Sequence, residues 1–398
     1  MFRITQLMEE LRNPTPLGPR RRPKGPVVIW NLIRRCNLLC QHCYTNSADR
    51  DFKGELSTEE VNQVMDDLKA FGVPVLILSG GEPLLRPDIF EISRRAVDMG
   101  FYVGLSTNGT LITEDNINQI AEIGYNYVGI SLDGIGPVHD LFRGKKGAFD
   151  EALRGVRLCR EKGLKVGLRF TLTEQNKKDL DGLLHLMMIE DVDKFYMSHL
   201  NYSGRGRVNR EKDAHHQATR DAMDRLFDEA WRSVELGTKK EFVTGNNDAD
   251  GVYFLHWVNR HFPDKAEHIR QKLIQWGGNS TGIGIANIDN LGNVHPDSFW
   301  WDYSLGNLRE RKFSDIWRDL SDPLMAGLKG EQKRPLKGRC GECQEFAICN
   351  GNARVRAYQT TGDFWAEDPG CYLYDNEIGL GESQMGSSSE TIQWPELN

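Results

Sequence analysis

Residues 35–44 read Arg-Cys-Asn-Leu-Leu-Cys-Gln-His-Cys-Tyr, which sets Cys36, Cys40 and Cys43 in a CxxxCxxC spacing. So short a loop can offer three thiolates to three corners of a cubane iron–sulfur cluster and leave the fourth iron without a protein ligand. An open iron can be chelated by a small molecule, by the logic that separates open catalytic metal sites from closed structural ones. Two other readings stay open on this stretch alone: a zinc knuckle with His42 as fourth ligand, and incidental core thiols. Zinc ribbons pair two CxxC knuckles, and the next cysteine is Cys159, far along the chain.

The chain has 398 residues, long enough for two domains. Its 39% hydrophobic and 27% charged content is that of a soluble globular protein, and a net charge of -7 argues against wholesale nucleic-acid binding. No apolar run approaches a membrane span. Residues 1–26 read as a polar, basic segment containing Arg20, Arg21 and Arg22, with no apolar core of a secretory signal. A reducing cytoplasm is the expected compartment, where thiols serve metals rather than disulfides. Cys340, Cys343, Cys349 and Cys371 form a second group, and Cys159 reads as a small buried side chain.

From Val27 to Ser203 apolar runs alternate with amphipathic stretches. Strands are expected over 27–32, 73–78, 101–105, 127–132, 165–172 and 194–199. Helices are expected between them, the first opened by the capping box Ser57-Thr-Glu-Glu60. That alternation implies an α/β fold of parallel strands with right-handed crossovers, either a partial barrel or an open doubly wound sheet. Residues 204–280 read as a helical linker region, with helices over 210–231 and 252–276. Residues 281–380 hold a hairpin over 283–294, a short helix over 312–320 and the second cysteine group. Residues 381–398 read as a disordered tail, or partly a cloning remnant.

Polar motifs follow the strands, at the ends where such folds bind ligands. Ser79-Gly-Gly-Glu-Pro83 follows the second, Ser106-Thr-Asn-Gly109 the third and Ser131-Leu-Asp-Gly134 the fourth, and Arg169 lies in the fifth. Glycines admit a ligand to the backbone, Glu82 can accept from an ammonium group, and Arg169 can bind a carboxylate. In this order, behind CxxxCxxC, the motifs resemble the radical S-adenosylmethionine (SAM) superfamily over about half the chain. The resemblance implies a partial (βα)6 barrel. It implies that Cys36, Cys40 and Cys43 bind a [4Fe-4S] cluster whose open iron SAM chelates. His42 would pack near the adenine, and Gly80, Gly81 and Glu82 would meet the methionine amino group. Ser106, Asn108, Ser131, Asp133 and Arg169 are the further expected cofactor contacts. The implied chemistry is reductive cleavage of SAM to methionine and a 5′-deoxyadenosyl radical that takes a hydrogen atom from an unactivated carbon.

The C-terminal region resembles the SPASM extension of that superfamily. Cys340, Cys343, Cys349 and Cys371 would close an auxiliary [4Fe-4S] cluster, with zinc as the alternative for the same donors. Where a further auxiliary cluster would place cysteines, Asp297 and Ala353 stand instead, so one auxiliary cluster is expected. The stretches at 1–5, 199–207 and 295–301 carry a closer likeness to members that serve heme d1 biosynthesis. The implied substrate is an iron tetrapyrrole, 12,18-didecarboxysiroheme, which would lose propionate side chains. The implied electron donor is an external carrier such as flavodoxin or ferredoxin. Candidate substrate contacts are Arg205, Arg207, Arg210 and the run Arg20–Arg22, with Trp257, Trp276, Trp300 and Trp301 as walls. His199, His256, His261 and His295 are candidate axial ligands. A SPASM-type peptide maturase, another heme-pathway decarboxylase and an iron–sulfur electron carrier are the rival readings.

Overall fold

A computed structural model describes residues 1–18, 24–330 and 334–381. The run Arg20–Arg22 and the tail from residue 382 lie outside the described residues. Among the described residues eleven strands form one sheet: β1 (Phe2–Arg3), β2 (Val27–Asn31), β3 (Val75–Ser79), β4 (Tyr102–Thr107), β5 (Tyr127–Ser131), β6 (Val166–Leu172), β7 (Lys194–His199), β8 (Glu241–Gly245), β9 (Ile285–Ile288), β10 (Asn293–His295) and β11 (Gly306–Asn307). Strands β2 to β7 are the six that the apolar runs predict. They lie side by side in chain order, all parallel, as the barrel of the fold.

The local reasons are those the sequence advertises. Val28, Trp30, Leu76, Leu78, Val103, Leu105, Val128 and Ile130 are buried under the crossover helices. The helix Thr58–Phe71 carries its capping box, with Glu60 N–H donating to Ser57 Oγ and Ser57 N–H to Glu60 Oε2. It stops at Gly72, whose φ of 87° only glycine adopts without strain. Successive βα units therefore deliver the polar motifs to one end of the barrel.

The sheet extends past the barrel on both sides. β8 pairs in parallel with β7, inside the stretch expected to be a helical linker. β9 pairs in parallel with β2, so the C-terminal hairpin β9–β10 continues the barrel sheet. The N-terminal segment is not merely polar. β1 pairs with β8, and the helix Ile4–Arg12 buries Ile4, Met8 and Leu11, one face at helical spacing. The helix expected over 210–231 runs from His216 to Glu235, because Arg210–Lys212 forms a 3-10 turn first. The helix expected over 252–276 is two, Ala249–His261 and Ala266–Trp276, broken where Pro263 lacks an N–H. No helix among the described residues is long and apolar enough to cross a membrane.

Met8 is fully enclosed, so Met8→Ala should cost about 2–5 kcal/mol of stability. The check is a lower urea midpoint with an unchanged m-value; an unchanged midpoint would show that the N-terminal helix is dispensable.

Candidate active site

The loop after β2 is pinned by its backbone: Leu32 N–H donates to Ser79 O and Cys36 N–H to Ala48 O. Within it Cys36 and Cys40 are buried and Cys43 half-buried. Their sulfurs already meet polar neighbours. Leu38 N–H lies 3.4 Å from Cys36 Sγ, Arg143 Nη1 3.6 Å from Cys40 Sγ, and Thr45 Oγ1 3.2 Å from Cys43 Sγ. Burial pushes the Cys36 and Cys40 thiols up, because low-dielectric surroundings penalise the anion. Sulfurs so placed ionise when a metal takes up their charge, and N–H donors aimed at sulfur suit iron-bound thiolates. The donor set fits a cluster.

Gly80 and Gly81 make the close approach that this loop requires. A Cβ on Gly80 would stand 2.5 Å from Ile33 O, and one on Gly81 2.3 Å from Arg35 O. Gly81 N–H donates to Ile33 O at 2.6 Å and Glu82 N–H to Arg35 O at 2.9 Å, so the turn after β3 clasps the cysteine loop. Glu82 is buried. Its carboxylate accepts from Thr107 Oγ1 (2.7 Å), Asn108 N–H (2.8 Å) and Leu84 N–H (3.1 Å). Burial pushes its pKa up to about 7 against those donors. Glu82, which the sequence offered as an acceptor for an ammonium group, staples the turn after β3 to the end of β4 through these three donors.

The remaining strand-end residues divide into two sets. Arg169 Nη1 donates to Ser106 Oγ at 2.5 Å, its guanidinium lies 5.3 Å from the Tyr196 ring, and Ser131 stands opposite it in the β5–β6 register. These three bring two hydroxyls and a cation together at the ends of adjacent strands. Asn108 and Asp133 face the protein. Asn108 Nδ2 donates to Asn37 Oδ1 at 2.9 Å and lies 3.9 Å from Cys36 Sγ. Asp133 is buried, accepts from Thr171 N–H at 2.7 Å and pairs with Arg143, the residue whose other arm reaches Cys40. Burial works to raise the Asp133 pKa, yet the Arg143 guanidinium holds it below the usual carboxylate range. His42 is half-buried, 4.8 Å from the Phe142 ring, and desolvation lowers its pKa to about 4. Its Nδ1 is a buried nitrogen without a hydrogen-bond partner, as a cofactor-facing imidazole would be. Arg143, Asn37 and Thr107 are the supports that sequence reasoning missed. Each acts on a partner distant in sequence, and no local motif announces it.

The family model of the radical SAM superfamily matches residues 30–187. Over 381 residues the chain is 53% identical to pre-heme d1 synthase of Dinoroseobacter shibae, covering 95% of this chain and 94% of that protein. The chain belongs to the radical SAM superfamily. It is also 45% identical over 374 residues to Fe-coproporphyrin III synthase of Methanosarcina barkeri, covering 93% of each. Among solved structures, SuiB of Streptococcus suis bound to S-adenosylmethionine superposes with a TM-score of 0.70 at 18% identity, over 89% of this chain and 79% of that one. Radical SAM membership makes the chain a SAM-dependent enzyme with a [4Fe-4S] cluster, and the cysteine loop carries the matching donors.

The second cysteine group also comes together in this radical SAM protein. Cys340, Cys343, Cys349 and Cys371 line a single cavity. Glu345 N–H lies 3.4 Å from Cys343 Sγ and Arg354 Nη2 3.9 Å from Cys340 Sγ. Burial raises all four thiols, Cys371 to about 11. Among the described residues no group of three or more His, Cys, Asp or Glu side chains is arranged as a single-ion site, at this group or at the cysteine loop. Asp297 is tied to Thr281 Oγ1 at 2.5 Å and Phe299 N–H at 2.8 Å, and Ala353 has no side-chain donor atom, its N–H donating to Asp368 and its carbonyl accepting from Arg356 N–H.

Several candidate substrate contacts turn out to be engaged. Arg205 Nε donates to Cys40 O (2.7 Å) and Nη1 to Ser47 O (2.8 Å), so this arginine braces the cysteine loop. Arg207 is half-buried beside it, and Arg210 opens the 3-10 turn. Trp257 and Trp300 are core residues, and Trp276 packs on Phe2. Trp301 is the one beside the cysteine loop, 6.0 Å from the Tyr44 ring. Of the histidines, His199 holds Asp250 at 3.0 Å, His256 meets Glu377 O at 3.0 Å, His295 meets Tyr303 O at 2.8 Å, and His261 packs on Trp257. These contacts leave no one of them marked as an axial ligand.

His139 supplies a pH signature. Its Nδ1 accepts from Asp133 N–H at 3.0 Å, which requires the neutral ring, and burial lowers its pKa from 6.5 to about 4. Between those values the unfolded chain binds a proton that the folded chain refuses. Stability should therefore fall as pH drops through that window, by up to about 1.4 kcal/mol per pH unit from this residue. His139→Gln should flatten the slope between urea midpoints at pH 7 and pH 5; an unchanged slope would assign the dependence elsewhere.

Proposed function

We propose that this chain removes propionate side chains from an iron tetrapyrrole, 12,18-didecarboxysiroheme, on the way to the ring oxo groups of heme d1. What supports this most is the 53% identity to pre-heme d1 synthase across 95% of the chain, joined to a complete cysteine loop. When bound, the cluster and SAM supply a 5′-deoxyadenosyl radical able to take hydrogen from an unactivated carbon.

The protein's part is to bind, orient and exclude water. In this reading Cys36, Cys40 and Cys43 hold the SAM-binding cluster. The backbone at Gly80 and Gly81 receives the amino end of SAM, and Ser106, Ser131 and Arg169 receive its carboxylate and ribose. His42, neutral and wedged against Phe142, packs by the adenine. Glu82, Asn108 and Asp133 keep these parts in register from behind. Cys340, Cys343, Cys349 and Cys371 hold one auxiliary [4Fe-4S] cluster. Four thiolates lining one cavity can supply all four ligands of a cubane. Held by these four thiolates, such a group would supply an electron relay rather than a substrate-binding iron. The 45% identity to Fe-coproporphyrin III synthase favours a second reading, in which the same machinery acts on another side chain of a related tetrapyrrole.

Anaerobic turnover with the iron tetrapyrrole and SAM, with mass analysis of both products, separates these outcomes. Methionine and 5′-deoxyadenosine should appear with a tetrapyrrole lighter by whole propionate units. A different mass loss supports the second reading, and an unchanged tetrapyrrole overturns both. Cys40→Ala should abolish SAM cleavage while roughly half the iron of a two-cluster protein is retained. Retained cleavage would overturn the assignment of the cysteine loop.

A further inference from the structure

Three large apolar side chains are exposed on one patch of loops around the cysteine motif. Leu39, between Cys36 and Cys40, is 56% exposed; Leu141 is 71% exposed and Val208 76%. Gln41 ties their three segments together. Its N–H donates to Phe142 O at 3.0 Å and its Nε2 to Leu141 O at 3.3 Å. Its carbonyl accepts from Asn209 Nδ2 at 2.9 Å, and its Oε1 from Lys212 Nζ at 3.1 Å. Leu39 N–H donates to Arg143 O at 3.0 Å, closing the set. Apolar groups gathered at the surface with a charged rim mark an interaction site.

The rim favours an acidic visitor. Lys146 is exposed, and Arg207 and Lys212 are half-exposed, with Lys212 bonded to a neutral amide rather than a carboxylate. Asp140, beside Leu141, turns its carboxylate inward to the N–H groups of Gly147 and Phe149. Glu211 and Asp150 are exposed on the same segments, and Lys146, Arg207 and Lys212 outnumber them on a chain whose net charge is -7. Behind this rim, one residue from Leu39, lies Cys40.

We propose that Leu39, Leu141 and Val208 form the docking face for a small acidic one-electron carrier protein, which reduces the cluster through the cysteine loop. The inference rests on radical SAM membership and not on the tetrapyrrole reading. In the step, the carrier loses one electron and the cluster gains one; no atom or proton need move. Apolar contact holds the partner close, and the lysine and arginine rim steers it, so association should weaken with salt.

The test uses the cluster-loaded protein, reduced flavodoxin as the probe, and Leu141→Glu and Val208→Glu. Direct binding should weaken at least about tenfold for each variant, which corresponds to about 1.4 kcal/mol. SAM cleavage driven by flavodoxin should fall in step, while cleavage driven by dithionite stays at the wild-type rate. Leu141→Ser and Val208→Ser, which add no charge, should show the same direction with smaller size. Unchanged flavodoxin binding overturns the proposal. So does an equal loss with both reductants, which would mean a structural role. Concentration-dependent self-association that the variants abolish would assign the face to a second copy of the chain and overturn it as well. Loss of tetrapyrrole turnover alone, with flavodoxin binding intact, would bear on the substrate reading and leave this one overturned on its own measurement.

Discussion

Three sulfurs cannot be crowded into a low-dielectric loop as anions unless charge and hydrogen bonds are arranged to receive them. That constraint organises the first two-thirds of the structure. Arg143 stands between Asp133 and Cys40, its buried guanidinium pairing the carboxylate with one arm and reaching the sulfur with the other. Arg205 closes the other side by bonding Cys40 O and Ser47 O. Neither arginine is near the cysteines in sequence. The barrel exists, in this sense, to bring strand ends and their loops to where those side chains can converge.

The same economy explains Glu82 and the paired glycines. The turn after β3 must touch the cysteine loop backbone to backbone, and any side chain at Gly81 would collide with Arg35 O. Glu82 then satisfies donors from the next strand end, Thr107 and Asn108, and Asn108 in turn supports Asn37 and Cys36. A chain of polar contacts thus runs from one strand end to the next and ends at the Cys36 sulfur. Residues of this kind set the position of ligands without having to touch what those ligands hold.

How legible this was depended on range. The six barrel strands could be read because each is a short apolar run closed by glycine or a polar turn, a signal contained in the run itself. β8 escaped because only Phe242 and Val243 are apolar in a stretch surrounded by helices, and its strandness comes from pairing with β7. The helix Ile4–Arg12 escaped because its three core residues are diluted by Glu9, Glu10 and Arg12 and followed by an arginine run. At the site, the cysteines and the Ser79–Pro83 motif were visible as spacing. The direction in which Glu82, Asn108 and Asp133 point was not, since a polar residue after a strand reads alike whether it faces a ligand or a neighbouring turn. Arg205, offered from sequence as a substrate cation, is a brace for the same reason.

The pairing of β9 with β2 has a consequence for biogenesis. Val27–Trp30 carries an open edge until Ile285–Ile288 has emerged to cover it, and β1 likewise waits for β8. During synthesis the strand leading directly into the three cysteines stays uncovered until most of the polypeptide has left the ribosome. Nascent protein therefore passes through a period when its thiols are made but the strand that leads into them still lacks its β9 neighbour.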